Sequence, residues 1–272
     1  MGRTDDPALN PADPTSFPVT DPLLSTETIP SFIDHTLLKP DATEGDVRRL
    51  CEEAAHFGFA TVCVNPYWVP MVAEVLAETG VGVCTVIGFP LGANRTGIKM
   101  AEAREALADG ATELDMVLNI GALRSGRYRV VQEEMAALAK AAHDSGAILK
   151  VILETCLLTR EEKILACRAA VEARADFVKT STGFSTAGAT AEDVQLLRQT
   201  VGDELGVKAS GGVRTWAALQ EMVRAGATRI GTSSGVSILT EINQREIKQG
   251  GPKLADSGQI VETDSTKGEN TY

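Results

Sequence analysis

The chain has 272 residues, 43% hydrophobic and 4% aromatic with 25 glycines, which suits an α/β protein with a sizeable core. A net charge of −11 argues against a nucleic-acid binder, which shows a basic patch. No apolar stretch approaches the roughly 20 residues of a membrane helix, and no basic segment followed by an apolar run marks a signal peptide.

Residues 1–30 hold Pro7, Pro11, Pro14, Pro18, Pro22 and Pro30 among Asp, Ser and Thr. Such a segment is expected to be a disordered or loosely docked extension. A body over 31–240 follows, then a polar tail over 241–272. Inside the body, short Val/Ile-rich runs alternate with segments of helical period. Strands are expected at Ile33–Leu37, Ala60–Val64, Val83–Ile87, Glu113–Leu118, Ile148–Leu153, Phe177–Thr180, Val207–Ser210 and Arg229–Gly231. Near-continuous apolar runs are those of parallel strands covered on both faces. Three helices should open on the spacing Thr43-x-x-Asp46, Thr159-x-x-Glu162 and Thr190-x-x-Asp193, where hydroxyl and acid cap the helix end. Met100, Ala103 and Leu107 share one helix face. Eight strands alternating with helices predict a single-domain (β/α)₈ TIM barrel. A doubly wound sheet is the alternative, but no GxGxxG follows the first strand.

Four strands carry ionisable residues within apolar runs: Asp115, Lys150, Lys179 and Lys208. Asp34 and Glu154 lie near strand ends. An unpaired buried charge costs several kcal/mol or neutralises itself. Period-two alternation lets all four point into a barrel, which brings them to one centre. A second ammonium near Lys179 favours its neutral, nucleophilic form. That set suits Schiff-base chemistry. General-base catalysis by Asp115, with the lysines stabilising charge, is the other reading.

Ala209-Ser210-Gly211-Gly212-Val213 follows the seventh strand, and Gly231-Thr232-Ser233-Ser234-Gly235 follows the eighth. Small residues let backbone N–H groups approach an anion, and the last two strand loops are the usual phosphate site of such barrels. Cys63 has no base nearby in sequence and reads as a packing or pocket-wall residue. His35 beside Asp34 faces the opposite side of the strand and reads as structural. The five cysteines form no CxxC pair, which fits reduced thiols in the cytoplasm. Histidines 35, 56 and 143 are dispersed, so no transition-metal site is expected.

Several motifs together resemble the deoxyribose-phosphate aldolase family. They are Ile33-Asp34-His35-Thr36-Leu37-Leu38-Lys39-Pro40, Val62-Cys63-Val64-Asn65-Pro66, Gly88-Phe89-Pro90-Leu91-Gly92, Glu113–Asn119, Leu149–Thr155, Phe177–Phe184, Val207–Arg214 and Arg229–Ser234. They span about 31–240 in order. The resemblance implies a class I, metal-free aldolase, free of cofactors, that reversibly cleaves 2-deoxy-D-ribose 5-phosphate to D-glyceraldehyde 3-phosphate and acetaldehyde. It implies that Lys179 forms the Schiff base, that Lys208 perturbs its pKa, and that Asp115 assists proton transfer. Thr182, Gly183, Gly211, Gly212, Ser233 and Ser234 would surround the substrate and its phosphate. Asp34, Cys63 and Lys150 would line the polar pocket, and the protein would be a homodimer or homotetramer. Some members end in a tyrosine whose phenol enters the site. Two readings of Tyr272 therefore stand: a phenol that reaches the pocket, or a coincidental last residue. Two rivals also stand: an isomerase using Asp115 on the same barrel, and a non-catalytic sugar-phosphate sensor.

Overall fold

A computed structural model describes residues 27–248 of the chain. Eight parallel strands run β1 (Ile33–Leu37), β2 (Thr61–Val64), β3 (Gly82–Ile87), β4 (Glu113–Val117), β5 (Ile148–Ile152), β6 (Phe177–Lys179), β7 (Gly206–Ser210) and β8 (Arg229–Thr232). They pair in sequence order and close β8 onto β1, so the sheet is a barrel and the doubly wound alternative is overturned. The first strand has its expected bounds, and each other strand moves by a single residue at one end. The helices are α1 (Glu44–Phe57), α2 (Val69–Leu76), α3 (Thr96–Ala108), α4 (Ile120–Arg124), α5 (Tyr128–Asp144), α6 (Arg160–Glu172), α7 (Ala191–Val201), α8 (Trp216–Arg224) and α9 (Gly235–Lys248).

Alternation along each strand sorts the residues into two environments. Outward positions such as Val62, Leu114, Met116, Leu149, Val151, Val178, Val207 and Ile230 are fully buried beneath the helices and form the main apolar core. Inward positions carry the charges. Register places Asp115 opposite Lys150 and Lys179 opposite Lys208 on neighbouring strands. His35 turns outward, as its neighbour Asp34 turns in. Its Nε2 lies 2.6 Å from Glu53 on α1, and its ring packs 4.9 Å from Phe59.

Thr43 and Thr159 form complete capping boxes with Asp46 and Glu162. Thr190 accepts from the Asp193 backbone, but the Asp193 carboxylate turns instead to Lys163 on α6, 2.5 Å away. A charged partner on the adjacent helix outcompetes the backbone N–H for that carboxylate.

The ordered body is wider than residues 31–240. A short 3₁₀ turn, Ile29–Phe32, precedes β1, and its Ile29 and Pro30 are buried. At the other end α9 crosses position 240 without a break, and Ile238, Leu239 and Ile242 join the core. Tyr272 and the outer parts of both tails lie outside the described residues. Among those described, no helix is long and apolar enough to cross a membrane.

Among the described residues, a deeply buried ion pair also lies outside the barrel. Lys99 of α3 donates to Glu134 of α5 at 2.6 Å and to the Val117 carbonyl at the end of β4 at 2.8 Å. Both side chains are at most 3% exposed. Removing one partner strands the other charge, so Lys99→Met should lower stability by about 3–5 kcal/mol in urea unfolding. Adding Glu134→Leu to that variant should recover much of the loss.

Candidate active site

One carboxylate sits at the centre of the barrel interior. Asp115 Oδ2 accepts from Lys179 Nζ and from Lys208 Nζ, each at 2.7 Å. Its Oδ1 accepts from Lys150 Nζ, also at 2.7 Å. Four strands thus converge on one side chain, because inward positions of a closed barrel face each other across a short span.

Around this hub the remaining charges alternate in sign. Lys208 also pairs with Asp34, and Lys150 reaches Glu113 at 2.5 Å. Arg229 of β8 donates to Asp34 at 2.6 Å and lies 3.1 Å from Glu113. Its guanidinium also stands 5.4 Å over the Phe177 ring. Burial by itself pushes the Asp34 and Asp115 carboxyls up, but the facing cations outweigh it and hold both below the usual carboxylate range. Burial likewise pulls Lys150 and Lys208 down. Asp115 leads the groups that more than reverse this, so both amines titrate above an ordinary lysine.

Above the hub opens a cavity of about 200 Å³. Lys179 is the one member of the charge network that lines it. Its walls include Thr182, Gly183 and Phe184 after β6, Ser210 through Arg214 at the end of β7, and Gly231 through Ser233 at the end of β8. Gly211 and Gly212 both adopt φ of +85°, a conformation that residues with side chains seldom take. Thr182 is oriented by Glu154, whose carboxylate accepts both the Thr182 hydroxyl and its N–H. Glu154 itself holds a left-handed backbone, φ 56°, while 2% exposed. Such a conformation costs about 1–3 kcal/mol and persists where the surroundings enforce it. Phe184 is half exposed and meets Phe89 of the β3–α3 loop edge to face, 5.3 Å between centroids.

The structure therefore brings together Lys179, Thr182, Gly183, Gly211, Gly212 and Ser233 at the cavity wall. Asp115 and Lys208 lie directly beneath. Asp34, Cys63 and Lys150 are fully buried and do not line the cavity; they belong to the layer below it. Ser234 stands behind Ser233, ahead of α9, with its N–H donated to Thr232 Oγ1 at 2.9 Å. Sequence reasoning passed over Glu113, Cys84, Arg229, Lys39 and Arg214. Glu113 had a signal, since it stands two residues before Asp115 and so shares its inward face, whereas the register that sets Cys84 opposite Cys63 and Glu113 appears only in the folded barrel.

Two donor sets have metal-like spacing, Cys63 with Cys84 and Asp115, and Asp34 with Cys84 and Glu113. The Lys150 ammonium already stands among them, 3.3 Å from Cys84 Sγ and within ion-pair range of all three carboxylates. Burial raises the Cys84 thiol well above its usual range, so it keeps its proton and donates to Asp115 at 3.3 Å. These donors fit an ammonium rather than a resident metal ion.

Fold and site together define a (β/α)₈ barrel with a cavity at the carboxyl ends of the strands, one wall of which is a buried lysine. The sequence pattern described as DeoC/LacD family aldolase matches residues 29–245. Deoxyribose-phosphate aldolase of Brevibacillus brevis is 62% identical over 209 residues, covering 77% of this chain and 94% of that protein. The protein of the same name from Thermococcus gammatolerans is 59% identical over 213 residues, covering 78% and 95%. A solved structure described as the unique tetrameric structure of deoxyribose phosphate aldolase from Aeropyrum pernix superposes with a TM-score of 0.75 at 40% identity, covering 82% of this chain and 92% of that one. The chain belongs to the DeoC/LacD aldolase family, and it is an enzyme of the carbon–carbon lyase class.

The charge network sets the pH range of the fold. Carboxylates with depressed pKa values stabilise above their unfolded pKa near 4 and lose that contribution as pH falls through the folded values. Lys150 and Lys208, titrating high, stabilise fully below about pH 10 and lose it above. Melting temperature should therefore hold a plateau between those limits and fall below about pH 4. Asp34→Asn, which leaves Lys208 and Arg229 short of a carboxylate, should cost about 3–5 kcal/mol within the plateau and weaken the acid-side dependence.

Proposed function

We propose that the protein is a Schiff-base aldolase that reversibly cleaves 2-deoxy-D-ribose 5-phosphate to D-glyceraldehyde 3-phosphate and acetaldehyde. The observation that carries this reading is the placement of Lys179: its amine lines the cavity while sharing one carboxylate oxygen with the ammonium of Lys208. Lys150, Lys179, Lys208 and Arg229 supply four cationic sites against three carboxylates, Asp34, Glu113 and Asp115. With every group ionised the cluster carries one excess positive charge. Lys179 is the member of this cluster that lines the cavity. The names of the relatives supply the sugar phosphate.

The Lys179 amine attacks the C1 aldehyde of the open-chain sugar to give a carbinolamine. Loss of water leaves an iminium. That cation accepts the electron pair released when the bond between C2 and C3 breaks, while the C3 hydroxyl gives up its proton and becomes the aldehyde of the departing triose phosphate. Asp115, held between Lys179 and Lys208, is placed to pass that proton through the buried network, and protonation of the enamine followed by hydrolysis releases acetaldehyde. Lys208 keeps positive charge beside the reacting amine. Phosphate is held by the backbone of Gly211, Gly212 and Ser233, with the exposed cations Lys39 and Arg214 at the rim. Binding at that remote end orients the reacting bond.

An isomerase with Asp115 as free base fits less well. The carboxylate is fully buried below the cavity, and both its oxygens accept from lysines. Membership of an aldolase family sets aside the non-catalytic sensor. The tetramer reported for the Aeropyrum pernix relative supports a homo-oligomer, and the five free cysteines suit a reducing cytoplasm.

Incubation with acetaldehyde and borohydride should leave one reduced adduct, mapped by peptide mass to Lys179. Cleavage activity without any adduct there would overturn the covalent reading. Lys208→Leu should slow turnover near neutral pH by about 10²-fold and displace the pH–rate profile to the alkaline side. An unaltered profile would remove Lys208 from the mechanism.

A further inference from the structure

The hydroxyls around the cavity are not equally available. Thr36 donates to the Asp34 carbonyl at 2.8 Å. Thr182 donates to Glu154 and accepts from the Phe184 N–H at 3.0 Å. Thr232 donates to the Val213 carbonyl at 2.6 Å and accepts from Ser234. Ser233 is exposed at the rim. Ser210 differs from all of these. It lines the cavity, is 5% exposed, and its Oγ has no hydrogen-bond partner.

That unpaired hydroxyl is held in place by its surroundings. Thr180 Oγ1 accepts the Ser210 N–H at 3.1 Å and donates to its carbonyl at 3.2 Å, which pins the backbone. The neighbouring inward position on β8 is Gly231, where a Cβ would fall 2.3 Å from Ser210 Oγ and 2.9 Å from Lys208 Cε. Glycine there leaves room for both side chains. A buried hydroxyl without a partner is costly, and a binding site is where such a group finds its partner in the ligand.

Its height along the barrel indicates which ligand atom it meets. Lys179 pairs in register with Lys208. Ser210 is the next inward position on β7, roughly 7 Å further along at about 3.3 Å per residue. Beyond it come Gly211 and Gly212. Ser210 thus stands between the amine that takes C1 and the loop that takes the phosphate. In the reaction proposed above, the C3 hydroxyl becomes the new aldehyde and its proton moves toward Asp115. The C4 hydroxyl is the one left between the two ends.

We infer that Ser210 Oγ hydrogen-bonds the C4 hydroxyl of the sugar, which is the 2-hydroxyl of the triose phosphate, and so sets the preference for a hydroxylated acceptor. The inference rests on the aldolase reading. It is a substrate contact additional to the phosphate loop and the lysines.

The test is aldol addition of acetaldehyde to two acceptors, D-glyceraldehyde 3-phosphate and 3-oxopropyl phosphate, which lacks the 2-hydroxyl. Wild-type enzyme should favour the first in kcat/KM. Ser210→Ala should reduce that ratio by about fivefold to tenfold, the value of one neutral hydrogen bond, through its loss on the hydroxylated acceptor. Its melting temperature should not fall, because the variant removes an unsatisfied hydroxyl from a buried site. An unchanged ratio overturns the inference, as do equal losses on both acceptors, which would make Ser210 a packing residue. Wild-type enzyme that adds acetaldehyde to neither acceptor overturns the aldolase reading, and the inference with it.

Discussion

Everything in this barrel is arranged around the Asp115 carboxylate and the three lysine side chains it holds. Ion pairs taken fully out of water rarely repay their desolvation, so this cluster is weak evidence of stabilisation. An apolar interior would serve the fold as well, as the layers of Val, Ile and Leu in many barrels show. Here most of the apolar work is done outside the barrel, between strands and helices, and the interior holds the charges beside a small apolar cluster of Leu38, Cys63, Cys84 and Val86. The division follows from period-two alternation alone: outward Leu114, Met116, Leu149 and Val151 build the core, while their neighbours Asp115 and Lys150 meet inside.

Polarity also grades along the barrel axis. Arg229 and Glu113 lie deepest, then Asp34, Asp115 and the lysines, then the single lysine that reaches the cavity, then the glycine-rich loops. A long substrate with an aldehyde at one end and a phosphate at the other matches that order. The hydroxyl-bearing residues are divided in the same spirit. Thr180, Thr182 and Thr232 bind protein groups and hold the loops still, whereas the Ser210 hydroxyl is left without a protein partner. Glu154 shows how far the scaffold goes to fix the wall, since it accepts a left-handed backbone in order to hold Thr182.

Much of this was legible in the sequence because the two periods involved are short. The strand positions follow from apolar runs, and Lys150, Lys179, Lys208 and Asp115 stand out as charges inside them. Arg229 opens its strand, where a charge usually reaches solvent, and only barrel closure shows that it pairs with Asp34 and Glu113 across the interior. Asp34, Cys63 and Lys150 were expected at the pocket wall, but height along a strand depends on register with distant strands, which local pattern does not contain. Helix α9 runs through position 240 for a similar reason. Polar residues thicken there, yet Ile238, Leu239 and Ile242 keep one face of α9 in the core. Asp193 was read as a cap from its spacing, and Lys163 on another helix claimed it.

The contact between Arg229 and Asp34 joins residues 195 positions apart, from the last strand to the first. It lies on the seam where the sheet closes on itself. Until that seam is made, Asp34 lacks its guanidinium and keeps only its lysine partners, and Glu113 shares only Lys150. A chain built as far as β7 has nearly all the candidate site residues, but its interior lies open between β7 and β1, which pair only through β8. Completing the barrel therefore also closes the charged interior off from water, so one contact on the seam serves both the sheet and the site within it.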